Sequence, residues 1–505
     1  MSELATHKTT PVASRDAARA APLQRFVPSW PLIAGLLFFV RLLVARRALL
    51  NDPDTYLHIA AGRWMLAHHA LPLHDPFSHS MPGAVWVCGE WLAELALAAG
   101  YRLGGWGGVI MLTAACAAAA LALFAHFLLR RLPPLPALIA VAAAAELLEP
   151  HMLARPHVLA LPLLVLWSGL LLAARDAGRG PPFAALPVMM LWANLHGSFL
   201  FGPALAAFLG CEAVLQAAAG TRRAEVLRWG GFTLAATVAA LLTPHGLAGL
   251  IQPIRLMLMP ALQASFGEWL SPNFQQSPDL EIWILGAVFV GFTTGVRLPA
   301  MRLILLLGLM HLMLQHVRHA DLLATVGPLA IAAPLGRRLA ELLPESRSGL
   351  AGWFARLAQP AQWPAVALTV ALAAALATPV ALRPLARGDD AVTPAAALAA
   401  AQAAGLTGPV LNSEAFGGYL VFRGVPDFID GRIEMYGNNF LARDLAAERG
   451  DRAALARLLA RYRIAWALVQ LHSAEAAALR GLAGWRRVYA DNIAVVYRRA
   501  EGSRR

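Results

Sequence analysis

"WPLIAGLLFFVRLLVARRALLNDPDTYLH", residues 30–58, decides what kind of chain this is. Its first half is an apolar run that approaches the ~20 residues of a membrane-crossing helix. The run ends at Arg46 and Arg47; "NDPDTYLH" then sets Asp52 and Asp54 one residue apart, with His58 four residues after Asp54. Two carboxylates just past an apolar run can be read in two ways. An Asn or Asp there caps the following helix by accepting from its first free N–H groups. Capping uses one aspartate and leaves the other unexplained, together with a histidine on the same helical face. The pair therefore reads as functional, binding a divalent cation through oxygen or taking a proton from an attacking hydroxyl.

Composition extends the membrane reading to the whole chain. Of its 505 residues 58% are hydrophobic and 14% charged, and the mean hydropathy is +0.56. A soluble protein carries roughly 25% charged residues. The net charge of +12 is almost all arginine, with Lys8 the single lysine. The arginines form short clusters between apolar runs rather than one basic face, which excludes nucleic acid as a partner and fits cytoplasmic loops. Cys88, Cys116 and Cys211 make neither a disulfide framework nor a metal-ligand spacing.

Apolar stretches begin near residues 30, 106, 135, 157, 182, 199, 229, 280, 301, 320 and 363, about eleven spans. Arg130 with Arg131, Arg175 with Arg179, Arg222 with Arg223 and Arg228, Arg297 with Arg302, and Arg337 with Arg338 fall in alternate loops. Placing those loops in the cytoplasm, with residues 1–28 as a disordered tail, satisfies the positive-inside rule. The tail lacks the apolar core of a cleavable signal peptide. Histidine is a partly separate check. His58, His68, His69, His74, His79, His151, His157, His196, His245, His316 and His319, eleven of the 15, then lie at the outer face. Polar groups at membrane depth are costly and gather where there is a cavity, so the chemistry is expected on that face.

The first outer loop, 51–105, contains "EWLAELALAAGYRLGG", spaced as an amphipathic helix lying at the interface. Glu90 and Glu94 on it, with Trp86 and Trp91, read as headgroup anchors. "ELLEPHMLARPHVLA" supplies Glu149, His151, Arg155 and His157; "WANLHGSF" supplies Asn194 and His196; "LTPHGLAG" supplies His245; and "QHVRHADLL" supplies His316, Arg318, His319 and Asp321. Each alone reads as an interfacial residue. Together they can line one polar cavity.

After a last span ending near 384, residues 386–505 read as a small soluble α/β domain outside the membrane. "GPVLNS", "FGGYLVFRG" and "VPDFIDGR" are expected as strands, and "NNFLARDLAAERGDRAALARLLARY" as one helix. "IAWALVQ" reads as a strand, Ser473 as a helix cap, and "WRRVYADNIAVVYRR" as a hairpin turning at Asp491 and Asn492. Asp427, Asp430 and Arg432 are expected as strand-end and turn residues.

The fold expected is thus an all-α polytopic membrane domain over 29–385 with a small α/β domain behind it. This layout, with an aspartate pair after the first span and a long first outer loop, resembles the GT-C class of membrane glycosyltransferases. Closer still are bacterial multi-spanning proteins carrying "DPDTYxH", "DPFS", "EWL", "ARPH", "WANLHG" and "FIDGR", all present here. The resemblance implies transfer of a sugar from a polyprenyl-phosphate donor to an acceptor hydroxyl at the outer face of a bacterial cytoplasmic membrane. Carried over, Asp52 or Asp54 is the general base or a ligand of a divalent cation such as Mg or Mn, and Glu149 matches the second-loop acid. Arg155 and Arg318 are candidates to hold the lipid phosphate. His58, His157, Asn194, His196, His245 and His319 are expected to line the substrate cavity. A "WWD" element of the oligosaccharyltransferase type is absent, which argues against an asparagine acceptor. The alternatives are a lipid-linked glycan ligase or flippase, and a non-enzymatic envelope assembly protein. A transporter would show paired internal repeats, and none is evident.

Overall fold

The computed structural model describes residues 25–343, 349–382 and 385–500, so the expected N-terminal tail lies almost wholly outside the described residues. The first apolar helix, Trp30–Val44, begins after Ser29 with a proline in its first turn, where the missing N–H costs nothing. A 3-10 turn, Ala48–Leu50, leads to Asn51 and then to the helix Asp54–His68. Asp52 Oδ1 accepts from the Asp54 N–H at 2.9 Å, so the capping reading holds for that one oxygen.

Helix Asp54–His68 does not cross the bundle. It lies between Trp91–Leu129 and the C-terminal helix Glu414–Phe422. Gly62 permits the close approach, since a Cβ there would collide with the Glu94 carbonyl. Trp91–Leu129 is kinked at Gly104 and Gly105, the latter at φ 56°. The kink divides the expected interfacial segment from the apolar helix beyond it.

Further helices follow at the apolar stretches, among them Pro134–Leu148, Pro156–Asp176, Phe201–Gln216, Arg222–Ala240, Pro278–Thr294, Ala300–Gln315, Ala320–Leu342 and Trp363–Leu382. Four helices among the described residues are long and apolar enough to cross a membrane: Trp91–Leu129, Pro156–Asp176, Gly197–Gln216 and Trp363–Ala381. Trp30–Val44 and Ala300–Gln315 are among the shorter apolar ones. The bundle core is filled by large side chains such as Trp167 and Phe232, whose rings stack 5.4 Å apart. Arg302, buried there at 3% exposure, meets Glu212 and Asp176, each at 2.9 Å.

The C-terminal domain carries a four-stranded sheet of order β1-β2-β4-β3. Its strands are β1 (Val410–Asn412), β2 (Trp466–Gln470), β3 (Trp485–Ala490) and β4 (Ala494–Arg499). β1 runs parallel to β2; β4 is antiparallel to both β2 and β3. Side chains of β2 alternate between two cores, Trp466 and Leu468 on one face, Ala467 and Val469 on the other. The hairpin turns at Asp491, whose Oδ1 accepts from the N–H groups of Ile493 and Ala494, and Ser473 caps its helix.

Two expected strands are not strands. "FGGYLVFRG" falls in the helix Glu414–Phe422 and its end, and "VPDFIDGR" is an irregular loop. Packing overrides the apparent strand pattern: a Cβ at Gly417 would strike the Ile429 carbonyl, and one at Gly418 the Pro53 carbonyl. The long helix expected over 438–462 is two, Asn438–Glu448 and Arg452–Arg461. Gly450, at φ 86°, breaks it, and Asp451 caps the second piece.

Candidate active site

The site is built around one guanidinium. Arg155 precedes Pro156, which holds it extended at φ −127° and ψ 161°. The neighbouring Ala154 N–H donates to the Leu49 carbonyl at 2.7 Å, tying this loop to the turn before Asp52. Arg155 Nη2 lies 2.9 Å from Asp54 Oδ2, and Nη1 lies 3.4 Å from both Asp52 Oδ2 and Glu268 Oε2. Glu268, from the turn Gly267–Trp269, reaches Arg318 Nη1 at 3.1 Å. The Arg318 guanidinium sits 4.3 Å above the Trp269 ring. Three carboxylates from two distant segments thus share Arg155.

Asp54 uses its two oxygens differently. Oδ2 pairs with Arg155, whereas Oδ1 is buried without a hydrogen-bond partner. Oδ1 faces Gly431, where a Cβ would collide with the carboxylate. Burial pushes the Asp54 carboxyl up to about 6, partly opposed by Arg155 and reinforced by Asp52. Glu414, opening helix Glu414–Phe422, is held well above the usual carboxylate range by burial and by the Asp54 charge.

Behind Asp54 lies a second polar layer. His58 Nδ1 is 3.4 Å from Glu94 Oε1, and Nε2 is 3.9 Å from Glu90 Oε2. His196 Nε2 reaches Glu90 Oε1 at 3.5 Å. The Cys88 thiol donates to Glu94 Oε2 at 2.9 Å. Burial lifts Glu90 to about 7, with His58 opposing, and Glu434, beside it, to about 8. Burial alone would depress His58, but the neighbouring glutamates outweigh it and raise it. Glu90 and Glu94 are therefore not headgroup anchors: Glu94 is 3% exposed and both face His58.

The other expected residues divide. The His157 ring lies 6.1 Å from that of His196, and its Nε2 contacts the His151 carbonyl at 2.8 Å. Asn194 is occupied in packing: its amide donates to the carbonyls of Met190 and Leu242, and its oxygen accepts from Trp91 Nε1. His319 Nδ1 contacts the Leu312 carbonyl at 3.2 Å. His245 keeps a buried, unpartnered Nε2. Glu149 is taken up by Arg41, which also binds Glu146; it does not join the aspartates. Sequence reading missed Glu268 and Gly431, although "EWL" recurs at 90–92 and 268–270 and both copies reach the site.

The space between Asp52, Asp54 and Glu268 is filled by the Arg155 guanidinium. Among the described residues no group of three His, Cys, Asp or Glu side chains could hold a metal ion.

No family model matches the chain, and no curated protein matches it in sequence. Solved structures do. The archaeal oligosaccharyltransferase AglB from Archaeoglobus fulgidus, in complex with an inhibitory peptide and a dolichol-phosphate, is similar at a TM-score of 0.53 and 12% identity, over 87% of this chain and 69% of that one. The apo form of the Archaeoglobus fulgidus oligosaccharyltransferase gives 0.50 and 13% over the same shares. ArnT from Cupriavidus metallidurans, bound to undecaprenyl phosphate, gives 0.46 and 14%, over 91% of this chain and 97% of that one. The likeness is one of fold, that of the archaeal oligosaccharyltransferase.

Proposed function

We propose that the chain is a membrane glycosyltransferase moving a sugar from a polyprenyl-phosphate donor to an acceptor hydroxyl at the membrane face that carries Asp52 and Asp54. The observation that carries this reading is the split carboxylate of Asp54, with one oxygen fixed by Arg155 and the other buried and free. A carboxyl raised to about 6 is suited to act as a general base near neutral pH. The acceptor O–H gives its proton to Asp54 Oδ1 as its oxygen bonds to the anomeric carbon. The bond from that carbon to the phosphate oxygen breaks, and the electron pair leaves on the phosphate. Arg318 and Arg155 supply guanidinium charge where that negative charge develops.

The donor would lie in the bilayer, among about eleven crossings, with its phosphate at the depth of Arg155 and Arg318. The dolichol-phosphate held by the archaeal structural neighbour supports such a donor. The arginine pattern supports placing this face outside the cytoplasmic membrane of a bacterium. Arg155 takes the position in which Mg or Mn was expected, so a chelator should leave turnover unchanged. Stoichiometric metal in the purified protein, with activity lost on its removal, counts against that assignment.

The test is reconstitution of the full chain in vesicles with polyprenyl-phosphate sugars and measurement of freed polyprenyl phosphate. Asp54→Asn, which keeps the shape and loses the base, should lower turnover by about 10²- to 10⁴-fold. Turnover at the wild-type level in that variant overturns the reading.

A further inference from the structure

The first and last apolar helices, Trp30–Val44 and Trp363–Leu382, pack against each other and leave a seam with two hollows. The upper one, of about 560 Å³, has apolar walls that include Val40, Val44, Leu376 and Val380, and a mouth that carries Arg46 and Arg47. The lower one, of about 170 Å³, is lined by apolar side chains such as Leu37 and Leu372 and by Thr369, with no charged residue.

Arg46 and Arg47 differ from Arg41 one turn earlier. Arg41 is bound by Glu146 and Glu149, which takes up those two acids. Among the described residues neither the Arg46 nor the Arg47 guanidinium makes an ion pair. Two adjacent uncompensated cations over an apolar cleft match a lipid with an anionic headgroup. Depth narrows the choice. From Val40 to the helix end at Val44 the chain rises about 6 Å, within the reach of one leaflet of a ~30 Å hydrocarbon core. The cation-free lower hollow then belongs to the opposite leaflet.

We propose that the upper hollow is a seat for an anionic phospholipid of the leaflet on the Asp52 side. Its headgroup is bound by Arg46 and Arg47, and its acyl chain lies along Val40, Val44, Leu376 and Val380. The seat has a consequence for the site. Arg47 leads directly into Ala48–Leu50, and the Leu49 carbonyl receives the Ala154 N–H beside Arg155. A bound headgroup anchors the turn that delivers both Asp52 and the Arg155 loop. The seat does not depend on the sugar-transfer reading.

Native mass spectrometry of the purified full chain tests it, with phosphatidylglycerol, phosphatidylcholine and undecaprenyl phosphate as probes. Phosphatidylglycerol should be retained by the wild type and by R222Q/R223Q, an exposed arginine pair at the other end of the bundle. Its affinity should fall about thirtyfold in R46Q/R47Q, the size expected when two arginines at a membrane surface lose an anionic headgroup. Leu376→Trp fills the cleft and keeps both arginines, so it should also release the lipid and decides the matter if R46Q/R47Q fails to fold. Unchanged retention in these variants, or equal retention of phosphatidylcholine, overturns the seat. Displacement of phosphatidylglycerol by undecaprenyl phosphate overturns its occupant. The readout is lipid retention rather than turnover, so its failure is distinct from failure of the catalytic reading.

Discussion

Asp54 shows how little of a catalytic role resides in residue type. Asp52 and Asp54 are the same side chain two positions apart, yet one oxygen of Asp52 closes a backbone turn while one oxygen of Asp54 has no partner. If Asp54 is the base, kcat/KM should rise with pH through an inflection near 6, because the carboxyl acts only when ionised. The inflection should be absent from whatever rate Asp54→Asn retains; a profile flat through that range in the wild type removes Asp54 from the role. Gly431→Ala adds a methyl against the Asp54 carboxylate. It should lower kcat at least tenfold while the protein unfolds at nearly the wild-type temperature, because the collision displaces one side chain rather than the backbone. Asp52, Asp54 and Arg155 were legible in the sequence because each stands at a local break, beside Pro53 or Pro156, just past an apolar run. Glu268 and Gly431 were not, since the repeated "EWL" and the "FIDGR" element mark their segments without showing that either residue reaches Asp54 or Arg155.

At the scale of elements, Arg432 ties the first long loop to the C-terminal domain, beside the bonds of His79 and Ser80 to the carbonyls of Val410 and Phe428. It lies 2.6 Å from both Asp75 Oδ1 and Asp430 Oδ2, between the rings of Phe77 and Trp86 at 5.0 and 4.9 Å. The expected turn residues of "FIDGR" are therefore a buried cross-link. Arg432→Ala strands two buried acids and should cost about 3–5 kcal/mol, read as a lower denaturant midpoint or as early proteolytic release of the C-terminal domain. Arg432→Lys should recover little, because an ammonium lacks the fork that spans both acids. A wild-type midpoint in both variants removes Arg432 from that role. Gly417 and Gly418 of the misread strand lie where the backbones of Ile429 and of Pro53 come too close for a Cβ, and periodicity carries no information about that approach.

At the scale of the whole molecule, the C-terminal domain and the first long loop close over one end of the helical bundle. The proposed orientation is testable with an impermeant thiol reagent. Cys88 is a poor reporter, being 1% exposed and bonded to Glu94, whereas Val85 is 72% exposed. Val85→Cys should be labelled on intact cells and native Cys88 should not; labelling of Val85→Cys only after the cytoplasm is opened reverses the orientation. The sequence by itself determined that the chain is largely apolar and helical, and where most of its helices begin. Apolar runs, proline breaks and arginine clusters are local in the chain, so they can be read along it. Only the tertiary structure decided which carboxylates are neutralised and which oxygen stays free. Asp54 meets Arg155, Glu268 meets Arg318, and Arg432 meets Asp75 across separations of 50 to 357 residues. Burial and charge at each contact depend on that juxtaposition alone.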